Sequence, residues 1–248
     1  MAHHHHHHHH VTISQLGEEN AKHFDHVGID MYSEPWVRVV TDQIFEEIRS
    51  EAGWIGVGKE ESKLSSSVKV FDYACGNGVV SRSLGPFVSI TRGMDVSSSM
   101  VEQYNIKARE DGYTEAQMHA VRGDLVADAQ AFPDMTGFDL IVMSTALHHV
   151  EDPQGMIRTL ADRMAPGGAL IIIDGVAPSE GGGARVGDHP ARKVVTRQGF
   201  ERHELEGWFG NAGLEEVEWK LFSKSTQVPE TMGGLSRMFF ARGVKASN

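Results

Sequence analysis

Five short apolar runs alternate with helical windows between Val68 and Asp174, and this alternation constrains the fold more than any other feature of the chain. The runs cover residues 68–73 (VKVFDY), 87–96 (FVSITRGMDV), 117–123 (QMHAVRG), 138–143 (FDLIVM) and 169–174 (ALIIID). Several are rich in β-branched residues and apolar at successive positions, the pattern of strands covered on both faces. Helical windows fall at 78–84, 97–111 and 152–164. Asp152-Pro153 is a strong helix start, a side-chain cap followed by a ring whose φ already suits a helix. That helix buries Met156, Ile157, Leu160 and Met164, and Pro166-Gly167-Gly168 stops it. A last helix, 199–212, turns Leu205, Trp208, Phe209 and Ala212 inward and ends at Gly213, a left-handed cap. Two further strands follow, near 214–221 and 236–241. Strand–helix alternation implies an α/β fold, a parallel sheet with right-handed crossovers and helices on both faces. Its ligand site lies outside the carboxyl ends of the strands.

Eight consecutive histidines, His3 to His10, mark residues 1–10 as an expression tag and carry no fold information. Residues 11–52 read as helical, and after Pro35 the apolar positions Val37, Val40, Ile44, Phe45 and Ile48 share one helix face. The polar stretch 56–67 reads as a loop. The expected organisation is a single structural domain, with an N-terminal helical lid over 11–55 and a core over 68–248. Lys+Arg 23 against Asp+Glu 34 gives a net charge of −11, which weighs against a protein that grips nucleic-acid phosphates. One cysteine, Cys75, excludes an internal disulfide and a multi-cysteine zinc site. No apolar run approaches the roughly 20 residues that span a bilayer, so the expectation is a cytoplasmic protein that avoids membranes. Oligomeric state is not legible.

The segment Asp72-Tyr73-Ala74-Cys75-Gly76-Asn77-Gly78 carries the strongest chemical signal. A buried strand ends on an acid, turns through two glycines and opens a helix. Glycine lets backbone approach a ligand closely, and a helix start offers unpaired N–H groups. Read alone, this is also a plain strand-to-helix turn. Two further acids change the balance. Asp95 ends the second strand, where a carboxylate accepts hydrogen bonds from ribose hydroxyls. Asp124 follows the third, suited to an adenine amino group.

The motifs VFDYACGNG, GMDVS, RGDL, FDLIVMSTALHHVEDP and APGGALIIID, in this order and spacing, resemble the class I S-adenosylmethionine-dependent methyltransferases, in particular the small-molecule group that includes ubiquinone/menaquinone-type enzymes. The resemblance covers residues 24–242. It implies a Rossmann-like, mostly parallel seven-stranded sheet whose last strand is antiparallel and inserted beside the fifth. It also implies S-adenosyl-L-methionine as cofactor and S-adenosyl-L-homocysteine as product, with a small-molecule methyl acceptor as partner. Carried over, the glycine turn with Asp72, Gly76 and Gly78 cradles the methionyl part, Asp95 holds the ribose, and Asp124 with Leu125 faces the adenine. Ala74, Val96, Gly123 and Ser144 flank these positions in the same crevice. The stretch 24–36 is expected to lid the site, with Tyr32 reaching the cofactor carboxylate; packing against the sheet is the competing reading.

A dinucleotide dehydrogenase would need a glycine where Ser81 stands, and would give Asp124 and HHVEDP no role. Cys75 lies inside the cofactor turn and reads as a small turn residue rather than a nucleophile. Ser144-Thr145-Ala146 replaces the Asn/Asp-Pro-Pro-aromatic run of enzymes that methylate base or amide nitrogen. Asp174 stands without a second carboxylate, so a metal is not implied. Three histidines are candidate general bases, since imidazole titrates near neutrality: His149 first, by its recurrent place after the fourth strand, then His148, and His189 in the glycine-containing segment 176–192. The alternatives are that these histidines pack or face solvent, and that Trp208 and Phe209 are core rather than substrate platform. Two other functions fit the same residues: a cofactor-binding regulatory or scaffolding protein, and a non-methylating enzyme on this fold.

Overall fold

The computed structural model describes residues 12–57, 68–182, 194–230 and 234–247. Three helices lead the chain, α1 (Gln15–Met31), α2 (Pro35–Ser50) and α3 (Ala52–Ile55). The alternating segment follows: β1 (Lys69–Tyr73), α4 (Val79–Leu84), β2 (Ile90–Asp95), α5 (Ser98–Glu110), β3 (Met118–Arg122), β4 (Phe138–Ser144), α6 (Pro153–Asp162) and β5 (Met164–Gly175). The chain then forms α7 (Arg202–Asn211), β6 (Leu214–Leu221), a small ribbon of β7 (Thr226–Gln227) and β8 (Leu235–Ser236), and β9 (Met238–Lys245).

The seven-stranded sheet has the order β3-β2-β1-β4-β5-β9-β6. All strands are parallel except β9, which pairs antiparallel with both β5 and β6. This is the expected architecture, with the last strand beside the fifth. Its alternating residues split the core into two layers. Val70, Val142, Ile171 and Phe240 face α2, α3 and α4 through Ile44, Ile48, Ile55 and Leu84. Phe71, Met143, Ile172 and Phe239 face α6 and α7 through Met156, Leu160, Leu205 and Phe209.

Several boundaries differ from the sequence reading. The helical stretch 11–52 breaks before Pro35, because proline holds the preceding residue out of helical ψ; Glu34 sits at φ −62°, ψ 130°. Residues Gly85–Phe87 form a 3₁₀ turn around Pro86, so β2 starts only at Ile90. Helix α6 ends at Asp162, and Met164 is buried from β5 instead. Helix α7 starts at Arg202, where Glu201 and Glu204 form a reciprocal capping box. The expected strand 236–241 divides, its start pairing in the ribbon and its remainder crossing the sheet.

Within the stretch 11–55, α2 and α3 pack on the sheet as above, and α2 also borders the crevice through Trp36, Val40 and Thr41. Helix α1 lies across the carboxyl ends of the strands, fastened at two points. At its start Ser14, its N-cap, donates from N and Oγ to Asp124 Oδ2 at 2.9 and 2.7 Å. Further along, Asp25 accepts from Ser97 Oγ (2.6 Å) and Ser99 N (3.1 Å). No helix among the described residues is long and apolar enough to cross a membrane.

Candidate active site

The turn after β1 depends on left-handed backbone. Gly76 and Gly78 have φ +50° and +87°, and Ala74 is held at φ +56°, a conformation that costs a non-glycine residue about 1–2 kcal/mol. Asp72 braces this turn from beneath: its buried Oδ2 accepts from Ser81 N (3.1 Å) and Ser81 Oγ (2.6 Å), tying β1 to the first turn of α4. Burial pushes its carboxyl up to about 7. Tyr32 closes the turn from above. Its hydroxyl takes the Asn77 N–H and sits 2.7 Å from where a Cβ on Gly76 would be, so a side chain there would displace it. Burial raises the Tyr32 phenol above its ordinary value and keeps it protonated.

A cavity of about 800 Å³ opens between this turn and α1. Tyr32, Ala74, Gly76, Asp95, Val96, Asp124, Ser144, His148 and His149 line it, which brings most of the expected residues together. Asp72, Gly78, Gly123 and Leu125 do not line it and act from behind. A Cβ on Gly78 would meet the Tyr104 ring at 2.8 Å, and one on Gly123 would meet Met94 Sδ at 2.7 Å. Leu125 sends its N–H to Tyr73 Oη (3.2 Å) and its side chain into the core. His189 lies outside the described residues.

Asp95 is 8% exposed and accepts from Gly76 N and Ser97 N, both at 2.9 Å. Each oxygen thereby keeps acceptor capacity toward the cavity. Burial raises its pKa. Asp124 differs: besides the two donors of Ser14, its Oδ1 accepts from Val126 N (2.9 Å) and Tyr73 Oη (3.5 Å).

At the other end a short turn after β4 carries the two histidines. His148 Nδ1 lies 2.8 and 3.1 Å from the two oxygens of Asp174, and His148 N donates to Oδ2 at 3.3 Å. The carboxylate accepts, so Nδ1 carries the hydrogen and Nε2 is left as a proton acceptor. Burial lowers the His148 pKa, but the charge and hydrogen bond of Asp174 outweigh it, and the net shift is upward. His149 is placed otherwise. Its Nδ1 meets Val194 O at 2.6 Å, and Phe24 of α1 packs edge-on against its ring. Burial, then the neighbouring His148, bring its pKa down to about 3. Thr196 Oγ1 donates to the carbonyls of His148 and Val150, pinning this turn from the far side. From α7, Phe209 is buried in the core and Trp208 packs half-buried against it, as the alternative reading had it.

Sequence reasoning left Asp174 alone and missed its partnership with His148. A signal existed: β4 and β5 are neighbours, so an acid ending β5 stands beside whatever follows β4. Among the described residues one group has metal-ligand spacing, Glu180, Glu201 and His203, away from the cavity. Two of its carboxylates already cap α7, Glu180 accepting from Arg202 N at 3.1 Å.

A mostly parallel seven-stranded sheet with one inserted antiparallel strand, a glycine turn after β1 and acids ending β2 and β3 define a Rossmann-like transferase architecture. The family described as "Methyltransferase domain" matches residues 40–218, and the chain belongs to it. An uncharacterized methyltransferase of Schizosaccharomyces pombe is 32% identical over 161 residues, 62% of this chain and 55% of its own length. A ubiquinone biosynthesis O-methyltransferase of a Shewanella species is 30% identical over 104 residues, 42% of each chain. The chain thus spans about half the length of the curated relatives it matches. Among solved structures, magnesium protoporphyrin IX methyltransferase of Synechocystis with bound SAM superposes with a TM-score of 0.64 at 20% identity, covering 95% of this chain and 99% of its own. That likeness is one of fold.

Proposed function

We propose that the chain is an S-adenosylmethionine-dependent methyltransferase acting on a small molecule, with His148 as general base held by Asp174. The observation that carries this reading is the bond between His148 Nδ1 and Asp174 Oδ1, 2.8 Å, in the same cavity as Asp95 and the Gly76 turn. The cavity residues suit the cofactor. Asp95 has acceptor capacity for ribose hydroxyls, and the Ala74–Gly76 backbone and Tyr32 would hold the methionyl end. Bound there, the cofactor supplies a methyl group already activated on sulfonium.

The protein's own part is alignment and proton removal. Asp174 holds the imidazole in the tautomer that presents Nε2 and stabilises the imidazolium that forms when His148 takes a proton from an O–H or S–H. This favours His148 over His149, the first choice from sequence. A histidine with a pKa near 3 is too weak a base, and its half-buried ring, packed edge-on against Phe24, is better suited to shaping the cavity wall. Asp174 accepts in addition from Gly175 N at 2.7 Å, so its oxygens are spent on orienting His148. On that ground the reaction is proposed to need no metal.

Incubating the protein with methyl-deuterated S-adenosylmethionine and a metabolite extract tests the reading. An extract component that gains a trideuteromethyl group, with S-adenosylhomocysteine formed in equal amount, is the expected result. Binding without transfer to any component would favour the scaffolding alternative. Conversion of a component without label would favour a non-methylating enzyme.

A further inference from the structure

The sheet order divides the cavity. The strands run β3-β2-β1-β4-β5-β9-β6, so the glycine turn, Asp95 and Asp124 stand at one side and the turn that carries His148 stands in the middle. The far side, beyond β5, has a different wall. Trp36, Val40 and Ile44 line the cavity from one face of α2. Val228 lines it from the turn of the β7–β8 ribbon, with Val176 after β5 and Met238 at the start of β9. Gly175 pairs with Met238, which sets this wall next to Asp174 and so beside the base. The wall is also held in place. Gln43 Nε2 donates to Lys224 O and Ser223 N to the buried Glu47 Oε1, both at 2.8 Å, joining α2 to the chain that leads into the ribbon. The cavity volume of about 800 Å³ lies toward the top of the roughly 300–1,000 Å³ usual for ligand pockets, as room for two ligands requires.

Charge is missing from that wall. Histidines aside, the charged residues lining the cavity among the described residues are Glu19, Asp95, Asp124, Glu151, Asp174 and Arg197, and none belongs to α2, the ribbon or β9. Arg197, the cation of this set, is already engaged. Its Nη2 donates to both oxygens of Glu204 at 2.7 Å, and its guanidinium lies over the rings of Phe200 and Trp208. A charged acceptor would lose its water against this wall and find no counter-charge in exchange. Trp36 offers the opposite. Trp54, Trp208 and Trp219 each pack on a phenylalanine ring, whereas half-buried Trp36 stacks on no ring among the described residues and borders the cavity. We propose that the compartment between Trp36 and Met238 is the acceptor site, and that it takes an uncharged, largely apolar hydroxyl or thiol compound lying against the Trp36 indole. The proposal rests on the S-adenosylmethionine reading above and adds to it the class of acceptor and the residues that select it.

A metabolite extract partitioned between an organic solvent and neutral water tests it, each fraction being offered to the protein with methyl-deuterated S-adenosylmethionine. The trideuteromethyl label should enter a component of the organic fraction. Label found chiefly in the water fraction would overturn the proposal and leave the methyltransferase reading standing. Label in neither fraction would overturn that reading, and this proposal with it. With the organic-fraction acceptor, Trp36→Ala should raise KM by about tenfold or more while kcat changes little, since the indole supplies contact area rather than chemistry. Trp36→Phe should recover most of the loss. Val228→Asp, which sets a charge in the wall, should raise KM likewise. Thermal melts identify any variant that fails to fold, and S-adenosylhomocysteine titration should show the cofactor half intact in each. Unchanged KM in folded Trp36→Ala and Val228→Asp variants would place the acceptor elsewhere and overturn the site.

Discussion

Replacing Asp174 by Asn separates the orienting role of the carboxylate from its shape. The side chain keeps its size, but the oxygen 2.8 Å from His148 Nδ1 loses its charge. Two consequences follow. The imidazolium formed during proton transfer loses a partner whose charge centre lies roughly 4 Å away, worth about 4 kcal/mol at an effective dielectric near 20. An amide can also donate to Nδ1, which would move the hydrogen to Nε2 and remove the base. Either loss predicts a fall in kcat of about 10²–10⁴-fold. The pH profile should change as well. Burial lowers the His148 pKa and Asp174 raises it to a net upward shift. The base must be neutral, so the wild-type rate should climb as pH rises through a value above the ordinary histidine pKa. In the variant only burial remains, and the residual rate should depend on pH at lower values. Single-turnover transfer of labelled methyl, measured across pH with cofactor affinity checked by calorimetry, reads both effects. An unchanged rate with an unchanged profile would refute the dyad and leave alignment as the whole of catalysis.

Three further outcomes are expected. His149→Ala should lower kcat less than tenfold and leave the pH profile in place, since a group with a pKa near 3 does not titrate in the working range; a collapse as large as that expected of Asp174→Asn would contradict the assignment. Ala74→Gly should stabilise the fold by about 1 kcal/mol, raising Tm by about 2–4 °C, because Ala74 is held at φ +56°; a lower Tm in calorimetry would show that the turn is not strained there. Turnover of tag-free protein should be indifferent to chelator and to added magnesium, and activity lost to chelator and restored by magnesium would overturn the metal-independent reading.

The parallel sheet and the elements that position the site were legible because strands and helices rest on local patterning. Apolar runs give strands, and the inserted β9 followed from the family resemblance. The glycine turn and Asp95 were legible for a similar reason, since backbone conformation and a strand-end acid are written in adjacent residues. What was not legible is contact across the crevice. Ser14 and Asp124 are 110 positions apart, and nothing in RGDL says that a helix cap will use the carboxylate first. His148 and Asp174 are 26 apart, joined only once β4 and β5 are known to be neighbours. Asp72 was read as part of the cofactor cradle, yet its side chain goes to Ser81: it ends a buried strand, and side chains of successive strand residues point to opposite faces. The histidine pair shows the same limit. Neighbours in sequence, they receive opposite pKa shifts, because one meets a carboxylate and the other a carbonyl and an aromatic edge.

The cavity between Asp95 and His148 should hold the methyl donor, and equilibrium titration with S-adenosylhomocysteine measures that directly. Tag-free wild-type protein should bind one equivalent. Asp95→Ala removes an acceptor for two charge-assisted hydrogen bonds, each worth about 1.5–3 kcal/mol, and should weaken binding by more than tenfold while the melt remains cooperative. Undiminished affinity in a folded Asp95→Ala variant would contradict the account.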